Sequence, residues 1–134
     1  MAGDALSPSD RVRLRTILAA ERRRTSEQID ALGRDLVTII EGSAVAPPDD
    51  EHDPEGATIG FERAQVASLL AGARSRLAEL DRAAERLDQG TYGTCQQCGG
   101  SIDLERLAAR PAAMSCLTCA DASSFRLRRP RSPS

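Results

Sequence analysis

The 134-residue chain carries 18 basic and 20 acidic side chains, one His, four Cys and three aromatics, with no Trp. Phe61, Tyr92 and Phe125 are too few aromatics for a large globular core or a base-stacking surface, and a net charge of -2 excludes a generally basic nucleic-acid binder. Every basic residue is Arg, which removes Schiff-base and P-loop lysines, and the lone His52 removes His-pair metal sites and catalytic His arrays.

The stretch Met1 to Asp10 has neither the basic nor the apolar region of a signal peptide, and no apolar run reaches the roughly 18 residues of a membrane span. The expected compartment is the cytoplasm. Thiols stay reduced there, so the cysteines are read first as ligands and only then as disulfides.

Three parts follow one another: residues 1–89, helical with an acidic break; 90–120, bearing the cysteines; and 121–134, an Arg-rich tail. Ser7-Pro8-Ser9-Asp10 has the form of a helix start, with Ser7 as cap, Pro8 at the first helical position and an acid in the first turn. Apolar residues then fall at Leu14, Ile17 and Leu18, and at Ile29, Leu32, Leu36 and Ile39, with Arg22, Arg23 and Arg24 breaking the stripe. This helix is expected to end near Gly42. A second helix is signalled by Asp53 as cap, Pro54 in first position and Glu55 at the positive dipole end, with Gly90 to stop it. Along it, Val66, Leu70, Ala73, Leu77, Leu80, Ala84 and Leu87 step by four and three, a sustained heptad seam.

Each helix has one apolar stripe, and the two are similar in length, about 35 residues or about 50 Å at 1.5 Å per residue. The economical solution is a long antiparallel coiled-coil hairpin closed at Pro47-Pro48-Asp49-Asp50. The expected fold is therefore mainly α: this hairpin, a small four-Cys zinc finger and a short C-terminal tail, in a monomeric protein.

Cys95-Gln96-Gln97-Cys98 and Cys116-Leu117-Thr118-Cys119 form C-x2-C-x17-C-x2-C, within the spacing of four-Cys zinc sites. Two Cys three apart on a tight turn present both sulfurs to one ion, and Gly99 and Gly100 suit the turn. Two such turns complete a tetrahedral S4 site with no open position, which makes the ion structural. Thiolates also suit iron, but zinc is the expected metal. Ile102 to Leu107 is expected to place Leu104 and Leu107 beneath it.

Between Asp49 and Glu62 lie six acids (Asp49, Asp50, Glu51, Asp53, Glu55 and Glu62) and no Arg. Capping accounts for Asp53 and Glu55. It accounts less well for Asp49, Asp50 and Glu51, whose carboxylates repel one another. The alternative to a solvated turn is a helical hairpin that delivers carboxylates to a cationic or Mg²⁺-bearing site on a partner.

The run from Gly90 through Tyr92, Cys95 and Cys98 to Gly99, then Ile102, Arg106 to Pro111, Cys116 and Cys119, resembles the DksA/TraR family of bacterial zinc-finger transcription factors. The helix, acidic turn, helix, finger and tail are similar in layout. The resemblance implies direct binding to RNA polymerase, with the coiled coil inserted through the secondary channel and its acidic turn near the active-site Mg²⁺. Of the family's Asp-x-x-Asp-x-Ala turn pattern, Asp50 and Asp53 supply the two acids and Glu55 stands at the Ala position. Four Arg within Arg126 to Arg131 make the tail either a solvated end or a weak electrostatic contact.

The competing reading is a zinc-ribbon coiled-coil adaptor for another protein. Sequence-specific DNA binding is not expected, since only Arg106 and Arg110 lie between the Cys pairs. No nucleophile–base pair marks an enzyme.

Overall fold

A computed structural model of the chain describes residues 6–45 and 54–128. The acidic residues Asp49 to Asp53, with the expected partner-facing Asp50 and Asp53, and the last six residues of the Arg-rich tail lie outside the described residues. Four helices follow in order: α1 (Pro8–Val45), α2 (Pro54–Gln89), α3 (Leu104–Ala109) and α4 (Leu117–Arg128). The architecture is an antiparallel helical hairpin followed by a four-Cys finger. None of the described helices is long and apolar enough to cross a membrane.

The helix ends follow from local chemistry. Ser7 Oγ accepts the Asp10 N–H (3.1 Å) and Ser7 O accepts the Arg11 N–H (2.9 Å), so Ser7 is the cap and Pro8 the first helical residue. Gly42 does not stop α1. A glycine ends a helix when it takes a left-handed φ, and Gly42 does not, so α1 continues to Val45. Gly90 does, with φ +81°. Its N–H reaches Leu87 O (3.4 Å) and the Thr91 N–H reaches Arg86 O (2.9 Å), the paired bonds of a Schellman stop.

By contact the chain divides into two units, Met1–Glu21 with Leu80–Ser134, and Arg22–Glu79. In the first, Leu14 and Leu18 of α1 and Leu80, Ala83 and Leu87 of α2 share one buried cluster with Tyr92, Cys95, Ile102 and Leu107 of the finger. The finger thus has no separate core. The seam here runs through fully buried Ala83 and leaves Ala84 only half-buried, a step of three and then four from Leu80 to Leu87. Arg11 Nη2 donates to Leu87 O (3.1 Å), a cation from α1 on the carbonyl end of α2. Arg15 and Asp88 pair at 3.5 Å across exposed surface and contribute little.

In the second unit Leu70 and Ala73 of α2 are buried, while Val66 and Leu77 are half-buried. On α1, Ile29, Leu32, Leu36 and Ile39 are half-buried, and the stripe passes the three-Arg interruption through buried Thr25 (3% exposed). A seam between only two helices leaves most positions partly wet, so few aromatics are needed.

Leu80→Ala is expected to cost about 2–5 kcal/mol, because it opens a cavity in the cluster that joins hairpin to finger. Leu69→Ala, at a position 52% exposed, is expected to stay within about 0.5 kcal/mol. Urea denaturation followed by circular dichroism reads both.

Candidate metal centre

The first Cys pair sits on a tight turn built by backbone bonds. The Cys95 N–H donates to Gly100 O (2.7 Å) and the Gly99 N–H to Cys95 O (2.9 Å), while Thr94 and Ser101 form a single antiparallel bridge. Closing so short a loop needs a left-handed residue, and Gly99 supplies it with φ +75°. Gly100 serves differently: its N–H donates to Cys98 Sγ (3.4 Å), and a Cβ there would touch that sulfur at 3.4 Å.

The second pair is made by a helix start. Cys116 precedes α4; its Sγ accepts the Cys119 N–H (3.5 Å), and its carbonyl accepts the Ala120 N–H (2.9 Å). The sulfur does for α4 what Ser7 Oγ does for α1, and the dipole of the 12-residue helix favours negative charge there. The Gln96 N–H donates to Met114 O (2.8 Å) and ties the two turns together.

The four sulfurs of Cys95, Cys98, Cys116 and Cys119 all lie within 4.8 Å of one another, with Cys98 and Cys116 3.9 Å apart. Bonds of about 2.3 Å from zinc to sulfur put the corners of a tetrahedron about 3.8 Å apart, so the donor set fits one zinc ion. Four thiolates fill its coordination, so the ion is structural. Without the ion the thiols are driven apart in acidity. Backbone N–H groups of Cys98 and Cys116 lower the Cys95 thiol to about 6, whereas the Cys116 side chain and burial raise Cys119 to about 12. A divalent cation reverses the second effect by stabilising all four thiolates at once.

Several supports escaped the spacing argument. Tyr92 is buried, and its hydroxyl donates to Pro111 O (2.8 Å), clasping the start of the finger to the chain ahead of the second Cys pair. Burial pushes the phenol up to about 12, so it stays a neutral donor. Arg106 Nε holds Ser115 O at 3.0 Å, next to Cys116. Arg86 lies close to Tyr92, its guanidinium pKa lowered by burial, with Nη2 buried and no acceptor among the described residues. Leu107 is fully buried and Leu104 packs against the same cluster, where the sequence puts them. Nothing in the spacing of C-x2-C announces Tyr92 or Arg106, since their partners are carbonyls of distant residues.

Residues 90–124 match the model of the prokaryotic DksA/TraR C4-type zinc finger. Over 92% of this chain and 90% of the other, the structure is similar to that of transcription factor DksA2 from Pseudomonas aeruginosa, with a TM-score of 0.77 and 25% sequence identity. The finger is of the DksA/TraR type, on a DksA-like fold. Among curated relatives, an uncharacterised protein of Aquifex aeolicus is 44% identical over 45 residues, and YteA of Bacillus subtilis, also uncharacterised, is 35% identical over 64. The matched segments span only 31% and 27% of those relatives' lengths, and 34% and 48% of this chain. The DksA/TraR likeness is thus local in sequence, at the finger, and nearly chain-wide in fold.

Chelation of the zinc is expected to unfold the finger and to loosen α1 near Leu14 and α2 near Leu87, which share its cluster. Hydrogen exchange should show lost protection in all three segments; protection lost at the finger alone would contradict the shared core. Acidification releases the metal, because each cysteine must shed a proton to bind it. Tyr92→Phe leaves the Pro111 carbonyl without its donor and is expected to cost about 1–3 kcal/mol, read by thermal denaturation of the zinc-loaded protein.

Proposed function

We propose that this protein is a cytoplasmic transcription regulator that binds RNA polymerase, inserts its helical hairpin through the secondary channel, and alters promoter complexes with its acidic turn. The observation that carries the reading is the chain-long fold likeness to a transcription factor, joined to a finger of the same family. The charge pattern is consistent with it. Asp50 and Asp53, between the two long helices in sequence, would bring carboxylates, the natural ligands and neighbours of Mg²⁺, to such a site. The metal supplies no reaction of its own: a zinc held by four thiolates has no position for substrate. Regulation then comes from placement of charge.

Core polymerase immobilised on beads is expected to retain the zinc-loaded chain, and the chain should change the lifetime of open promoter complexes in a purified transcription assay. The double variant Asp50→Asn with Asp53→Asn is expected to bind within about twofold of the parent but to lose the effect on promoter complexes. Asn caps helices as well as Asp, so a cap at Asp53, expected from the sequence, would be kept. An unchanged effect in the double variant would sink the role of the turn. Failure of the parent to bind polymerase would favour the adaptor reading.

A further inference from the structure

The two units hold their stretches of α1 and α2 with unequal packing. Within Arg22–Glu79, the buried residues among those described are Thr25, Leu70 and Ala73. Leu70 is the one large apolar side chain of the three, and Val37, Phe61 and Leu69 are left more than half exposed. In the other unit, Leu14, Leu18, Leu80, Ala83 and Leu87 are each at most 2% exposed and share a cluster with the finger. Helices in proteins draw most of their stability from a packed apolar face, so a thin seam leaves them dependent on intrinsic propensity.

Propensity is lowered in the same unit. Every glycine of α1 and α2 (Gly33, Gly42, Gly56, Gly60 and Gly72) falls within Arg22–Glu79, and residues 8–21 and 80–89 have none. A helical glycine has a packing role where a neighbour leaves no room for a Cβ. A Cβ on Gly33, Gly42, Gly60 or Gly72 would meet nothing within 4 Å, and none of the four takes a left-handed φ. Neither packing nor turn geometry asks for glycine there. Its effect is to lower the helix equilibrium, about fivefold relative to Ala at each position. We infer that Arg22–Glu79 is a soft unit: it opens cooperatively by itself, as often as its glycines set, while the zinc-bearing unit stays closed. The acids from Asp49 to Asp53 lie in sequence between the two helices of this unit. How firmly they are presented is then governed by the unit's own closing, and the metal does not control it. A ligand of the closed form shifts the unit toward closure without acting on the finger.

Hydrogen exchange of the free, full chain tests this and needs no partner. In the zinc-loaded protein, amides around Leu36 and Leu70 are expected to exchange at least about a hundredfold faster than those around Leu18 and Ala83. Equal rates would overturn the inference. Gly33→Ala with Gly72→Ala is expected to slow exchange across Arg22–Glu79 about twentyfold and to leave the other unit within about twofold. Ala19→Gly, the reverse change at an exposed α1 position of the other unit, should leave exchange around Leu36 and Leu70 as it is. If the double Ala variant exchanges like the parent, the glycines do not set the opening and the inference fails. Equal slowing in both units would make them one cooperative body and sink it too. Chelation of the zinc should leave exchange around Leu36 and Leu70 within about twofold; protection lost there together with the finger would tie the unit to the metal and overturn its independence.

Discussion

Four sulfurs brought within 4.8 Å of one another cannot all carry negative charge unless a cation sits among them. That electrostatic condition governs the finger, because Cys95 is at once a ligand and a member of the buried cluster. Pulling Cys95 out of the site also pulls it away from Leu14, Leu18, Leu80 and Leu87. The usual picture of a small zinc module holding itself together by metal alone therefore does not apply. Here metal and hydrophobic burial act on the same residues. The base of the hairpin gains from a finger it touches, and the finger gains a core it could not build in about 30 residues.

The chain uses one device at two helix starts. An oxygen at Ser7 and a sulfur at Cys116 each stand just before a helix and accept the N–H three residues on. At Cys116 the acceptor is also a metal ligand, so the dipole of α4 and the zinc favour the same thiolate. This double use explains why the second pair is C-x2-C at a helix start while the first is C-x2-C-Gly-Gly on a loop. Two geometries, one helical and one left-handed at Gly99, deliver sulfurs to a common point.

Much of this was legible from residue order, because it depends on neighbours in sequence. The Ser7 cap, the Gly90 stop, the Gly99 turn and the heptad seam of α2 all rest on spacings of a few residues. What was hidden depends on distant partners or on fine phase. The seam of α1 looks broken at Arg22 to Arg24 when only apolar residues are counted. It is continuous once Thr25 is allowed to be buried, for a small polar residue can occupy a seam position without announcing it. Ala83 and Ala84 are identical in sequence terms, and only the drift of the helix decides which is buried. The extension of α1 through Gly42 was hidden for a similar reason: the residue type permits a stop, but φ decides. Tyr92 and Arg106 bond to carbonyls 19 and 9 residues away, contacts that no local pattern encodes.

Composition then takes on a more specific meaning. A chain with 18 Arg and no Lys has chosen the planar, forked cation at every basic position. On a solvated surface that choice is neutral. It matters where a guanidinium must meet a carboxylate in fixed register, hold a backbone carbonyl, or lie partly buried without losing its charge. Arg11 on Leu87 O and Arg106 on Ser115 O are instances of the second, and Arg86 of the third. Arg34 and Arg74 have the form for the first, and neither is in an ion pair among the described residues. The net charge of -2 thus averages over an uneven sequence, with acids gathered between Asp49 and Glu62 and Arg gathered toward the C-terminal end.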